Sequence, residues 1–343
     1  MTAMLVWQAL QLAVPSVGAA LGCDPSLARL AAFNSARPRR DLRQPTGETV
    51  TTVPLGGAPF AVAISPAGAV YVSQSLAGSL ARGNLPRTDL PVHVPVGPLP
   101  SQVRVRASGQ TAYVSNQDAG TITVVRVATN QVVGTIALTP SILTIGLSPD
   151  GRRLYALTNF HGLYVISTAT RTVVDSIPAS GTGTILAGIA FHPSGTCMYV
   201  AARDQGTVAV INTATNAVVT TLPVPGGRIQ NVAVSRDGSE LYATDIERSK
   251  LIIWKLVTGS SAFEEVPIGS GAARNAFDVA VTRDNARIWV SALADGKVFV
   301  LDRVTRRLVH SVTTGGSPRY IAFDATGGTA VIPNESGWVT FVR

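Results

Sequence analysis

The chain has 343 residues, 46% hydrophobic and only 14% charged, a balance that excludes a disordered chain. Its net charge is +8, and lysine is confined to Lys250, Lys255 and Lys297, so nearly every cation is an arginine. The plain reading of that charge is solubility; the sharper one is an anionic partner, which a positive surface draws in faster. The two cysteines, Cys23 and Cys197, have no CxxC spacing, which argues against a metal knuckle or a disulfide framework.

Residues 1–23 carry no charge, and apolar residues dominate Met4–Val14 and Val17–Leu21 on either side of Pro15. The stretch ends in Ala20-Leu21-Gly22-Cys23. A small residue before a cysteine at the end of an apolar run resembles the lipobox of bacterial lipoproteins. That resemblance implies cleavage before Cys23, lipidation of it, and attachment to a membrane. Three readings stand: an export signal, lipidated or not, placed first; an uncleaved anchor, since about 20 apolar residues can span a bilayer; and an amphipathic helix with Gln8 and Gln11 on one face. Residues 24–44 hold five arginines against Asp24 and Asp41 and read as a basic linker.

From residue 45 onward the pattern is short Val-, Ile-, Thr- and Tyr-rich runs between Gly, Pro, Asn and Asp, the signature of strands and turns. One turn recurs seven times, ending at Gly68, Gly109, Gly151, Gly195, Gly238, Asn285 and Gly327, in steps of 41 to 47 residues. A strand follows each turn, with Tyr71, Tyr113, Tyr155, Tyr199, Tyr242, Trp289 and Val331 at one register position. Strands repeating near 42 residues predict an all-β, seven-bladed β-propeller of four-stranded antiparallel blades. Each blade runs from an inner strand a to an outer strand d. In strand a one position reads Ala63, Arg104, Gly146, Ala190, Ala233, Ala280 and Ala322, small everywhere except Arg104. Small residues suit the crowded axis. Arg104 either snorkels into the central channel or presents a charge to a ligand there. The last repeat stops after strand c, Trp338–Arg343, while Glu48–Val53 matches a strand d, so the N-terminal strand is expected to complete the seventh blade and close the ring.

Tyr113-Val114-Ser115-Asn116 and Tyr199-Val200-Ala201-Ala202, with Ser-Pro-Asp-Gly turns before strand b and the turn Asn212–Asn216 after strand c, resemble the YVTN-type propeller repeat. The resemblance covers about 45–343. It implies an exported protein of the prokaryotic cell envelope, periplasmic or membrane-anchored. Related propellers are non-catalytic scaffolds, partners of periplasmic redox enzymes, lactonases or lyases, and one branch has been linked to DNA. Ser79–Val94, with Pro86 and Pro91, and the insertion at 260–266 depart from the repeat.

Chemistry is sparse. No GxSxG, HExxH, P-loop or CxxCH pattern occurs, so no cofactor is expected. The b–c loops carry oxygen side chains one blade at a time, including Asp118, Asp204, Asp245, Asp295 and Glu335, which reads as a rim rather than a metal cage. His161 is the histidine on that face; His192 is expected in a surface turn, and Cys197 as a buried, inert thiol. The densest cluster is cationic: Arg228, Arg274 and Arg319 lie in the loops leading into three successive blades, beside Phe277 and Tyr320. With Arg104 they form the candidate ligand-binding set, since guanidinium groups grip carboxylate or phosphate in a fork. The leading reading is a monomeric, non-catalytic envelope scaffold for a protein or anionic ligand. A metal-assisted lactonase or lyase is the alternative. Nucleic-acid binding comes third, disfavoured by the interspersed acids.

Overall fold

The computed structural model describes residues 48–138, 141–256 and 260–343. The apolar segment 1–23 with Cys23, and the linker 24–44, lie outside the described residues.

Seven four-stranded antiparallel sheets follow one another in chain order. Blades 1 to 6 begin with strands a at Pro59–Ile64, Pro100–Val105, Ile142–Leu147, Leu186–Phe191, Ile229–Val234 and Ala276–Val281. Blade 7 is built from Ala322–Phe323, Ala330–Asn334 and Trp338–Val342, and its outer strand is Val50–Pro54 from the other end of the chain. That closing strand pairs antiparallel from Val50 opposite Val342 to Pro54 opposite Trp338. Thr49 and Arg343 extend the ladder with two more backbone hydrogen bonds, at 2.8 and 3.0 Å. The ring is therefore closed as the repeat count predicts.

The turn glycines take the left-handed backbone that their sequence position calls for, and Asn285 does the same at φ 62°. Arg171 and Arg306, which end c–d turns, also sit at φ 62°. Both are long side chains in a conformation that costs energy, and both are tied down. Arg171 donates to the Val133 carbonyl at 2.7 Å, and Arg306 is ion-paired to Glu240 and Glu264.

The small residue of strand a lies directly opposite the large residue of strand b in blades 1, 3, 4, 5 and 6. Ala63 faces Tyr71, Gly146 faces Tyr155, Ala190 faces Tyr199 and Ala280 faces Trp289. These Tyr side chains are at most 2% exposed. Cross-strand partners sit about 5 Å apart, so a ring on one strand leaves little room on the other. Crowding between blades adds to this: a Cβ on Gly146 would come within 2.8 Å of Ile189 in the next blade. Arg104 opposite Tyr113 is the exception that the register makes visible.

A bulge interrupts the a–b ladder at the third residue of strand a in most blades. The freed N–H is taken by a hydroxyl from strand b: Ala61 by Ser73, Gln102 by Ser115, Asn231 by Thr244 and Asp278 by Ser291, at 2.9 to 3.1 Å. Blades 3 and 4 have Leu157 and Ala201 at that position, and blade 7 has Pro333. Proline brings neither hydroxyl nor N–H. Strand a of blade 7 is accordingly not Tyr320–Phe323 as its pattern suggests, but shrinks to Ala322–Phe323. The Ile321 N–H instead donates to the Asp278 carboxylate of blade 6 at 2.8 Å.

Two further expectations are corrected. His192 is buried, and its imidazole wedges against the blade 5 turn, with Nε2 3.2 Å from the Gly238 carbonyl. Cys197 is fully buried but is disulfide-bonded rather than a free thiol.

Deleting residues 46–54 strips blade 7 of its outer strand and bares the edge of Trp338–Val342. Loss of cooperative thermal unfolding and concentration-dependent aggregation are the expected outcomes, checked by calorimetry and light scattering. An unchanged transition would refute closure by this strand.

Candidate binding site at the channel mouth

The third residues of the six full inner strands read Ala61, Gln102, Thr144, Gly188, Asn231 and Asp278, with Tyr320 at the matching position ahead of the short strand of blade 7, all buried. Five of the seven are polar, and each is followed by an apolar residue. They satisfy one another between blades. Asn231 Nδ2 donates to Asp278 Oδ1 at 2.5 Å. Gln102 Nε2 reaches Thr144 Oγ1 at 3.5 Å, and the Tyr320 hydroxyl meets Thr144 across the ring. Gly188 is glycine because Asn231 needs its space: a Cβ there would lie 2.4 Å from Asn231 Oδ1 and 2.7 Å from its Cα.

Asp278 is the electrostatic centre of this group. Burial pushes its carboxyl up to about 7, against the pull of the Ile321 and Val279 N–H groups, the Arg104 charge and the Asn231 amide. Arg104 reaches in from blade 2 on the far side of the ring. By surface area it is half-buried, yet protein surrounds its head. Burial lowers its guanidinium pKa, and Tyr320 and Asp278 counter that. Its Nη1 donates to the Val103 carbonyl at 3.1 Å. Tyr320 is shifted upward by burial and then by Asp278. Of the two sequence readings of Arg104, the geometry shows a side chain directed into the channel and answered by Asp278.

Above this layer the second residues of strands a bring Phe60, Phe277 and Arg319 together. Phe60, Phe277 and Tyr320 stack edge-to-face, with centroids 5.3 to 6.1 Å apart. The Arg319 guanidinium lies over Phe60 at 5.1 Å and Phe277 at 4.7 Å, and pairs with Glu335. Arg203, in the b–c loop of blade 4, joins the group. Burial lowers its pKa; Tyr320 and Asp204 act against that shift, and the like charges of Arg228 and Arg319 reinforce it. Its Nε is buried with no hydrogen-bond partner among the described residues.

The expected set is thus partly assembled. Arg319, Phe277, Tyr320 and, deeper, Arg104 share the channel, and Arg228 stands at its mouth, exposed. Arg274 is exposed at φ 59°, and among the described residues nothing links its side chain to the others. The carboxylate of Asp245, which lies beside Arg228, is engaged away from its side chain. Asp245 accepts from the Arg228 and Arg248 N–H groups and pairs with the Arg248 side chain. Arg203, Phe60 and Thr144 are the members that sequence reading misses. A search of the loops for oxygen ligands passes over a cation in Ala201-Ala202-Arg203-Asp204.

The rim carboxylates have a different task. Asp204 accepts from Thr184 and from Ile185 N, the latter at 3.1 Å, and Asp295 accepts from Ser270 and Asn275. Asn334 accepts from Ser317 N and donates to the Gly315 carbonyl. Each fastens the d–a loop entering its blade to the end of strand b. Among the described residues no three His, Cys, Asp or Glu side chains are grouped to hold a metal. His161 is exposed and bonds only the Asn159 carbonyl.

No family model matches the chain, and no curated protein sequence matches it. A solved structure does. The fold is similar to that of Kuenenia stuttgartiensis hydrazine synthase, with a TM-score of 0.76 over 89% of this chain and 99% of that one. Identity is 18%, so the likeness is one of fold. The YVTN-type resemblance rests on the repeat motifs alone.

Two outcomes follow from the inner ring. Gly188→Ala should destabilise the protein by about 1–3 kcal/mol, because Asn231 backbone and not a movable side chain blocks the new methyl; denaturant unfolding measures it. Asp278 sets a pH dependence. The unfolded chain loses this proton near pH 4, at about the ordinary aspartate value. The folded chain keeps it until about 7. Its contribution is therefore full below the unfolded value, falls as pH rises between the two, and is flat above. Asp237 and Glu240, which burial alone would raise, are held low by hydroxyl and guanidinium partners and act below that window. Asp278→Asn should flatten the decline between pH 5 and 7.5; an equally steep decline in the variant would contradict this assignment.

Proposed function

We propose that the chain is a non-catalytic interaction scaffold of the cell envelope, which receives an acidic partner on the face where the d–a and b–c loops meet. The observation that carries this reading is the division of labour on that face. Asp204, Asp245, Asp295 and Asn334 are consumed in fastening loops to strand ends, while Arg228 and Arg274 are exposed without an ionic partner among the described residues. A rigid platform with surplus positive charge favours association with an anion, since ordering costs are already met in the free protein. The export-like segment 1–23 supports the envelope as its place.

The experiment is affinity capture from envelope fractions with the full chain, beside the Arg228→Ala/Arg274→Ala double variant. Both sites are exposed, so folding should be untouched. The native chain should retain a partner in a salt-sensitive manner, and the variant should lose roughly tenfold or more in affinity, as expected for two charge-assisted contacts. Identical capture by both proteins, or a chain found only in the cytosol, would count against the reading.

A further inference from the structure

We propose that the channel mouth is a binding site for one carboxylate group, gripped by Arg203 and flanked by Arg228 and Arg319. The site deepens the scaffold reading, on which it rests, by naming the chemistry recognised.

Arg203 is the reason. A buried guanidinium N–H without an acceptor is costly, and native proteins rarely leave one unexplained. Here the Nε of Arg203 is buried and unpaired among the described residues, in the company of two more arginines. Nothing in the fold requires this. The neighbouring blades end strand b with Thr158 and Asp245, and uncharged or apolar residues follow them: Asn159 and Ile246. The arginine raises the free energy of the empty site, and an incoming anion lowers it. Arg319 is already aimed. Its guanidinium is pressed on Phe60 and Phe277 and held from the side by Glu335, so little conformational freedom is lost when a ligand arrives. Tyr320 packs edge-to-face against Phe60 and Phe277 beside it, and its hydroxyl is engaged with Thr144.

Charge selects the ligand. Three guanidinium groups meet two carboxylates, Asp204 and Glu335, which leaves one positive charge over. Arg104 lies deeper, outside this group, and Asp278 offsets its charge only in part. A carboxylate carries one negative charge, whereas a phosphate monoester carries about 1.5 to 2 at neutral pH. The planar carboxylate also matches the guanidinium fork. Its source is either a small organic acid or an acidic side chain or C-terminus of a protein.

The test follows the arginine Nε–Hε resonances of the ¹⁵N-labelled full chain by NMR. The probes are acetate, a short peptide with a free C-terminal carboxylate, the same peptide amidated, and inorganic phosphate. Saturable shifts at Arg203 with acetate and the free peptide, and none with the amide, are expected. Tighter binding of the peptide assigns the carboxylate to a protein, and tighter binding of acetate assigns it to a small acid; either supports the site. Arg203→Gln should weaken binding about tenfold or more. Arg228→Gln, at an exposed position, should weaken it severalfold and keeps the test intact if the first variant misfolds. Equal shifts with the amide, tighter binding of phosphate than of either carboxylate, or unchanged affinity in both variants would overturn the proposal. Capture of an envelope partner by a chain whose Arg203 ignores every carboxylate would overturn the site and leave the scaffold reading standing.

Discussion

Five residue pairs between Val50–Pro54 and Trp338–Val342 join the two ends of the described chain, and every contact between blades depends on that junction. An open array of seven stacked sheets would leave the apolar faces of its first and last blades in water. Closure packs those faces together and sets the distance between neighbouring inner strands. Once that distance is set, bulk is rationed at the axis. The alternation of small residues on strand a with rings on strand b is the consequence, as is the requirement for glycine at 188 beside Asn231.

The axis has a second consequence. Inner strands must bulge to converge, and each bulge frees an N–H. Hydroxyls on strand b absorb four of these. In blade 7 Pro333 removes the hydroxyl, and Asp278 of blade 6 answers for it through Ile321. One carboxyl thereby ties blades 5, 6 and 7 together at the axis, where burial holds its pKa near 7 and Arg104 reaches in from across the ring. The polar inner layer is a structural solution first. It also makes a closed floor, over which Tyr320, Phe277 and Phe60 stack and Arg319 is held.

The loop face above that floor is stiff. Asp204, Asp295 and Asn334 hold loops to strand ends, and among the described residues the ring of oxygen side chains in the sequence does not become a metal cage in the fold. The arginines are left over. Positive charge concentrated near a channel, on a platform that needs no rearrangement, is suited to recognition of an anion more than to proton transfer.

Most of the architecture is legible in the sequence because it is periodic. Turn glycines, the tyrosine register and a surplus strand at the front need only local backbone geometry and counting. The candidate site is legible in half: Arg319, Phe277, Tyr320 and Arg104 stand out as departures from the repeat, but Arg274 does not join them. Arg203 and Phe60 come from blades 4 and 1 and carry no local mark. The strand lost at Arg319–Ile321 is written in Pro333, yet only a neighbour's carboxylate shows how the loss is tolerated. By itself the sequence determined the number of blades, their strand order and the closing strand, because hydrogen-bonded ladders and turns are set by nearby residues. Only the tertiary structure decided which side chains meet at the axis and which charges stay unpaired, because those depend on distances across the ring that no local pattern encodes.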